Sequence, residues 1–244
     1  MKKIYISPSD QTANTYAAGD TTEAIQCRKI AEKLVEALTR CGFTAKTNTV
    51  DGMQARVAES NAWKADLHIC VHTNACNGKV AGTRLFCYEM GGEGYKACKA
   101  VLATLSPITP GKSDGITARP ELYETRATNC PCVYVECEFH DVPEIAKWII
   151  ANVESIAEAI AKGVCNYYGE KYIPREESKQ TDEKHQNSAE RYNTIDDVPD
   201  WAKRETQELI DSGALRGNEN GLDVTDDMLR CLIISKRYSE GLLK

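Results

Sequence analysis

Residues 65–75 read Ala-Asp-Leu-His-Ile-Cys-Val-His-Thr-Asn-Ala, and residues 133–141 read Val-Tyr-Val-Glu-Cys-Glu-Phe-His-Asp. Each is a short apolar run of the kind that forms a buried strand, and each ends in side chains that can bind a metal or move a proton. Open α/β sheets hold their ligands at the carboxyl ends of their strands. The two stretches therefore predict an α/β fold and an enzyme whose chemistry lies at one edge of the sheet.

The composition is that of an ordinary globular protein. A length of 244 residues with 42% hydrophobic content predicts one full domain and a smaller unit. The net charge of −6 and the absence of a basic stripe argue against a nucleic-acid partner. No apolar run approaches the roughly 20 residues that a bilayer requires, so we expect no membrane span.

Two further features bear on the compartment of the protein. The first apolar residues, Ile4-Tyr5-Ile6, are too few for a signal peptide and indicate a first strand, so we expect synthesis in the cytoplasm without a signal peptide. The 11 cysteines are scattered through strand and helix patterns without a CxxC pair. This spacing favours reduced packing thiols over disulfides or a cysteine-ligated metal.

Strand-like and helix-like patterns alternate over residues 1–172 and predict a single mixed, mostly parallel sheet with helices on both faces. A final helix is expected to begin with Asp141 as its N-cap and to run without interruption through Ile160. The other predicted elements are strands near 3–7, 43–49, 66–72, 83–89 and 132–138, and helices near 22–41, 54–62 and 94–105.

The remainder of the chain differs in character. Residues 173–193 are charged and hold almost nothing apolar, which predicts a flexible linker. Residues 194–244 contain two helical patterns, one with Trp201 and one beginning near Thr225. They predict a small helical module without a full core.

The four histidines differ in their positions. His72 ends its strand, which indicates a metal-binding or catalytic role. His68 lies on the same face about 13 Å back along the strand, too far to share a metal easily, and is expected to be a hydrogen-bonded core histidine. His185 falls in the linker and is expected to be solvated. His140 is either a metal ligand at a strand end or a residue at the start of the following helix.

Glu136 lies in an apolar run, where a carboxylate is costly unless it is protonated, paired or near a metal. It is therefore the best candidate for a general base, and a buried ion pair with an arginine such as Arg126 is the compatible alternative. Histidine and carboxylate ligands with a nearby glutamate are typical of zinc hydrolases. The chain has no HExxH helix, GxSxG elbow or phosphate-binding loop.

Residues 1 to about 170 resemble the zinc-dependent N-acetylmuramoyl-alanine amidases, cell-wall hydrolases found in bacterial autolysins and phage endolysins. The likeness lies in Thr22-Glu23-Ala24, in Val71-His72-Thr73-Asn74-Ala75 and in Val135-Glu136-Cys137-Glu138-Phe139, with further similarity around Arg56 and Asn61. It implies zinc as the cofactor, Glu23 and His72 as ligands, and Glu136 as the catalytic glutamate.

The chain departs from the family at the first ligand. Where the family usually has Asp-Pro-Gly-His-Gly, this chain has Ser7-Pro8-Ser9-Asp10-Gln11, so the first histidine is absent. We favour His140 as the replacement, since imidazole suits zinc well, with Asp10 as the alternative. A weak or lost metal is the third possibility.

The resemblance implies hydrolysis of the amide between N-acetylmuramic acid and the first alanine of the stem peptide in bacterial peptidoglycan. Asn74 and Arg126 are the expected substrate-binding residues, and Arg119 is another candidate for holding a substrate carboxylate. The resemblance also suggests a wall-binding C-terminal module, although a structural or dimerising role is the alternative. An endolysin or autolysin acting on the wall after release fits, as does an intracellular recycling amidase.

Two other functions remain open from the sequence. One is a non-catalytic wall-binding protein that keeps the fold and has lost its zinc. The other is an amidase that acts on a different amide.

Overall fold

The computed structural model describes residues 1–175, 191–219 and 221–239. The chain divides into two compact units, Met1–Arg175 and Glu176–Lys244. Most of the expected linker, including His185, lies outside the described residues. Within the described ranges, no helix combines the length and the apolar character needed to cross a bilayer.

The first unit is built on one sheet with the strand order β2-β1-β3-β6-β4-β5. Neighbouring strands are parallel except for β4 and β6, which are antiparallel. This confirms the mixed, mostly parallel sheet expected from the sequence. The strands are β1 (Lys3–Pro8), β2 (Thr44–Thr47), β3 (Leu67–Asn74), β4 (Arg84–Cys87), β5 (Gly115–Ala118) and β6 (Cys132–Phe139).

Helices cover the two faces of this sheet. Their bounds are α1 (Glu23–Arg40), α2 (Met53–Trp63), α3 (Glu93–Leu105), α4 (Tyr123–Ala127), α5 (Pro143–Ala151) and α6 (Val153–Tyr168). The apolar spacing predicted α1, α2 and α3 within one residue of these bounds. The helix α4 and the edge strand β5 were not predicted.

The two faces of the sheet are chemically different because side chains alternate along each strand. On β3, Leu67, Ile69 and Val71 belong to the apolar core shared with α1, α3 and α6. The intervening residues face the other way, and the imidazole of His68 on that side contacts Ser60 of α2 and Glu124 of α4. The polar face is formed chiefly by Tyr5, Ser7, His68, Cys70, His72, Tyr134 and Glu136.

The prediction of a single final helix is wrong. The structure has two helices there, α5 and α6, separated at Asn152. The Asn152 side chain donates from Nδ2 to the carbonyl of Trp148 at 2.8 Å, and its backbone N–H donates to the carbonyl of Ile149. A side chain that bonds to the preceding turn competes with helix continuation.

The expected N-cap role of Asp141 is also wrong. Val142 occupies the N-cap of α5 without a side-chain cap, and Pro143 begins the helix. The Asp141 carboxylate instead accepts the backbone N–H groups of Cys76 and Gly78, each at 2.8 Å. Asp141 therefore holds the loop that follows β3 and does not start α5.

The second unit contains the helices α7 (Asp200–Asp211) and α8 (Asp226–Ser239). Thr225 Oγ accepts the backbone N–H of Met228 at the start of α8, at 3.3 Å. Trp201 on α7 is 43% exposed. The buried apolar core among the described residues is small and consists of Val198, Ala202, Val224, Leu229 and Ile233.

Candidate active site

His72 and Glu136 come together at the carboxyl ends of β3 and β6. They are register partners on these parallel strands, and their alternation places both on the polar face. Burial raises the pKa of Glu136 to about 7, with the Glu23 carboxylate acting in the same direction and His72 and Arg119 opposing it. A carboxyl group with this pKa can exchange protons near neutral pH.

Glu23 reaches the same place from the first turn of α1. Thr22 caps this helix by accepting the N–H of Ile25, and Glu23 is 1% exposed. Its Oε1 lies 2.8 Å from Nδ1 of His72, and its Oε2 accepts from Nδ2 of Asn14 at 2.7 Å. The first helix thus delivers a buried carboxylate to the imidazole.

The Glu23–His72 contact shifts both groups toward their charged forms. Burial opposes charge on each, yet the hydrogen bond between them lowers the pKa of Glu23 and raises the pKa of His72. The His72 ring also stacks on Tyr134, with ring centroids 4.5 Å apart. The imidazole is consequently fixed on two sides.

Two buried atoms of this group have no hydrogen-bond partner among the described residues: His72 Nε2 and Glu136 Oε2. Buried polar atoms are nearly always hydrogen-bonded. Two unpartnered atoms in one place therefore indicate a site that binds a metal or another group. Imidazole and carboxylate are the ligand types that zinc takes in hydrolases. Glu23 and His72 are thus of the right ligand types for a metal centre, with Glu23 lying against Nδ1 of His72 while the unpartnered nitrogen is Nε2.

His140 lies near this group but has partners of its own. Its Nδ1 is 2.9 Å from Thr73 Oγ1, and its ring stacks on Tyr16 at 4.9 Å between centroids. Burial lowers its pKa, which favours the neutral imidazole.

Asp10, the alternative third ligand, is held elsewhere. Its Oδ2 accepts from Nη1 of Arg56 at 2.6 Å, and its side chain is 47% exposed. Across the described ranges, neither Asp10 nor His140 joins Glu23 and His72 in a set of donor atoms within 4.8 Å of one another. The identity of a third ligand stays a prediction.

The two expected substrate-binding residues lie in different places. Asn74 ends β3, and its Oδ1 accepts the backbone N–H of Ala75 at 2.8 Å. Arg126 is an exposed residue of α4, with its guanidinium 5.7 Å from the ring centre of Tyr123. It lines a cavity with Cys132, at the amino end of β6, so it does not pair with Glu136. The substrate roles of both residues stay predictions.

A buried polar network, not predicted from the sequence, lies beneath this site. His68 is fully buried and hydrogen-bonded, as expected of a core histidine: Nδ1 is 2.9 Å from Ser60 Oγ, and Nε2 is 3.2 Å from Glu124 Oε1. Ser7 Oγ donates to Glu124 at 2.5 Å and accepts from Nε of Arg56 at 2.8 Å.

This network includes a second group of potential metal ligands. In the described part of the chain, His68, Cys70 and Glu124 are the set of three whose donor atoms lie within 4.8 Å of one another, and all three are buried. Such a set can hold a metal ion. The sequence carried no signal for it because the three residues lack a compact spacing.

A second missed residue is Glu138, which is fully buried. Its two oxygens accept the backbone N–H groups of Gly82 and Gly111, each at 2.7 Å. The two glycines approach so closely that a Cβ on Gly111 would lie 2.1 Å from the nitrogen of Gly82. Glu138 therefore ties together two loops, one before β4 and one before β5.

Comparisons with known proteins bear on this arrangement. The family model Amidase_3, described as N-acetylmuramoyl-L-alanine amidase, matches residues 5–166. An uncharacterised 38.4 kDa protein of Clostridium perfringens is 27% identical over 159 residues, which is 61% of this chain. The chain spans 46% of the length of that curated relative.

Solved structures share the fold. The catalytic domain of CwlV, an amidase of Bacillus (Paenibacillus) polymyxa var. colistinus, is 16% identical with a TM-score of 0.63, covering 70% of this chain and all of that one. An N-acetylmuramoyl-L-alanine amidase of Clostridium difficile 630 is 20% identical with a TM-score of 0.62, covering 69% and 97%. The catalytic domain of the CD27L endolysin is 23% identical with a TM-score of 0.55, covering 71% and 100%.

The matched region contains Glu23, His72 and Glu136 and accounts for most of the first unit. The chain belongs to the Amidase_3 family of N-acetylmuramoyl-L-alanine amidases.

Proposed function

We propose that this protein is a zinc-dependent amidase that cleaves the bond between N-acetylmuramic acid and the L-alanine of the stem peptide in bacterial peptidoglycan. Family membership supports the reaction class. The observation that carries the proposal is the pair of buried, unpartnered atoms on His72 and Glu136, next to the Glu23 carboxylate. His72 Nε2 offers one donor to a metal, and Glu136 offers a carboxyl group that can carry the proton.

Glu23 and His72 would hold the zinc, with His140 as the third ligand. The Nδ1 of His140 is engaged by Thr73, which leaves Nε2 as the nitrogen for a metal, and burial favours its neutral form. Asp10 is the weaker candidate because binding a metal would break its ion pair with Arg56. When bound, zinc would supply Lewis-acid chemistry that polarises the scissile carbonyl.

Glu136 would move the proton. With a pKa near 7 it is partly ionised at neutral pH, so its carboxylate can accept a proton from the attacking water. The same carboxyl can then donate that proton to the departing amine of the alanine. The strand pairing fixes Glu136 opposite His72, and this would keep the proton carrier beside a carbonyl bound there.

The biological setting is also a proposal. We infer that the protein acts on the wall after release from the cell that makes it, as an endolysin or autolysin does. The likeness of the first unit to the catalytic domain of the CD27L endolysin supports this setting. The second unit, with the exposed Trp201, is proposed to bind the wall.

The test compares Glu136→Gln and His72→Ala with the wild type, measuring bound zinc and the release of stem peptide from purified peptidoglycan. We expect Glu136→Gln to retain zinc and lose at least a hundredfold in turnover, because only the proton carrier is removed. His72→Ala should lose both zinc and turnover. The exposed Glu93→Gln is the matched control and should change neither. Equal zinc loss in the first two variants would contradict the assigned roles.

A non-catalytic wall-binding protein is the second candidate. The ion pair of Asp10 with Arg56, at the position where the family has its first histidine, favours it. Absence of zinc after reconstitution, together with retained binding to peptidoglycan, would establish this second function. Comparing His140→Ala with Asp10→Ala would identify the third ligand if zinc is present.

A further inference from the structure

We propose that His68, Cys70, Cys132 and Glu124 form a second, buried zinc site, separate from the site at Glu23 and His72. The donors come from β3, β6 and α4 on the polar face of the sheet. All four are buried, with exposures of 0%, 0%, 3% and 1%. A closed set of four protein ligands is the pattern of a structural zinc site.

Two separations between donor atoms match those around a tetrahedral ion. Zinc–ligand distances place two bound sulfurs roughly 3.8 Å apart, and a bound nitrogen and oxygen roughly 3.3 Å apart. Cys70 Sγ and Cys132 Sγ are 3.8 Å apart, and His68 Nε2 and Glu124 Oε1 are 3.2 Å apart. Cys132 contacts Cys70 but is not one of the three residues whose donor atoms lie within 4.8 Å of one another, so binding by all four would require its side chain to move toward His68 and Glu124.

Neighbouring hydroxyl groups orient these ligands. Ser60 Oγ contacts Nδ1 of His68, so Nε2 is the nitrogen directed at Glu124. Ser7 Oγ donates to the same Glu124 oxygen at 2.5 Å. In established metal sites, hydrogen bonds of this kind fix the orientation of the ligating imidazole and carboxylate.

A divalent cation would offset most of the negative charge of the ligands. Two thiolates and one carboxylate bring three negative charges, and zinc brings two positive charges. Arg56, which is 2% exposed and ion-paired with Asp10, also reaches Glu124 through Ser7.

The site is distinct from the candidate active site. His68 pairs with Cys132 in the strand register, whereas His72 pairs with Glu136 four residues further on. Four residues correspond to about 13 Å along a strand, and Cys70 lies between these two positions, two residues from His72. Because the donors come from the sheet and from α4, we expect the ion to stabilise the packing of the sheet against α4.

Cobalt substitution tests the proposal, since Co²⁺ bound to thiolates has intense near-ultraviolet charge-transfer bands. The full chain is unfolded, refolded with Co²⁺ and examined for these bands and for metal content per chain. We expect thiolate bands in the wild type and in His72→Ala, and their loss in Cys70→Ser. Cys98→Ser, which removes another buried thiol, is the matched control and should keep them.

The outcomes separate this site from the proposed catalytic zinc. The bands in His72→Ala would support the buried site even if the active site binds no metal. No thiolate bands in the wild type, or bands that persist unchanged in both Cys70→Ser and Cys132→Ser, would overturn the proposal. The wild-type spectrum decides the case if the serine variants fail to fold.

Discussion

His72 and Glu136 are register partners on β3 and β6, and each keeps one buried side-chain atom without a hydrogen-bond partner among the described residues. The two strands are continuously hydrogen-bonded up to this pair, so the sheet itself sets the distance between them. Sites built on strands hold their geometry better than sites built on loops. The orphaned atoms are thus placed by the rigid part of the protein.

Replacing Glu136 with Gln should change how stability depends on pH in the metal-free protein. The folded-state pKa of Glu136 is raised to about 7, so the folded state holds its proton more tightly than the unfolded state. This contribution is fully present below the unfolded pKa and is lost as the pH rises through 7. It amounts to at most about 3 kcal/mol.

Urea denaturation at pH 5 and pH 8 measures this effect. Wild type should lose stability relative to Glu136→Gln between these values, because the glutamine stays neutral. Parallel behaviour of the two proteins would show that Glu136 titrates normally.

Gly111→Ala should be strongly destabilising. The added Cβ would lie 2.1 Å from the nitrogen of Gly82, which is backbone and cannot move aside without breaking its bond to Glu138. We expect a loss of about 3 kcal/mol or more in the free energy of unfolding, as for severe overpacking. Gly115→Ala is the control, because its nearest neighbour is the end of the flexible Arg84 side chain at 3.1 Å. Similar small losses at both positions would contradict the close approach.

Glu138→Gln tests the hydrogen bonds that the Glu138 carboxylate accepts in the same region. The carboxylate accepts the N–H groups of Gly82 and Gly111 on separate oxygens. An amide offers only one oxygen, so one buried N–H would face an NH₂ group. We expect a loss of about 2–3 kcal/mol and faster hydrogen exchange at one of the two glycines. Unchanged exchange at both amides would rule out this role.

Arg56→Lys should destabilise the first unit despite the retained charge. Arg56 bonds Ser7 through Nε and Asp10 through Nη1, a fork that the single ammonium of lysine cannot reproduce. We expect a loss of about 2–3 kcal/mol in thermal or urea unfolding. Arg28→Lys, at a less buried site with hydrogen bonds to Thr47 and Asn48, should lose less than 1 kcal/mol. Equal effects would mean that the fork at Arg56 contributes little.

The parts of the fold that could be predicted are those with local signals. The helix α1 has a threonine cap, an acidic first turn and apolar residues at helical spacing, and β3 and β6 are apolar runs. The strand β5 has only four residues, Gly115–Ala118, and pairs with a single neighbour. The division at Asn152 was hidden because the apolar spacing continues from Ile149 through Ile156.

Only part of the candidate active site could be predicted from local sequence patterns. Strand ends identified His72 and Glu136, whereas Glu23 came from the family likeness, since nothing local relates it to a histidine 49 positions away. The buried network depends on still longer separations, such as the 117 positions between Ser7 and Glu124. Contacts of this kind are fixed by the sheet order, which spacing alone does not reveal.

The sheet order also has a consequence for how the chain folds. The strand β6 lies between β3 and β4, although both of those precede it in the sequence. During synthesis, the edges of β3 and β4 that pair with β6 stay unpaired until residue 139 has left the ribosome. Unpaired strand edges can associate with other chains. Such non-local pairing slows folding. The strand that completes the sheet is β6, which carries Glu136. The proposed proton carrier therefore reaches its position in the same folding step that completes the sheet.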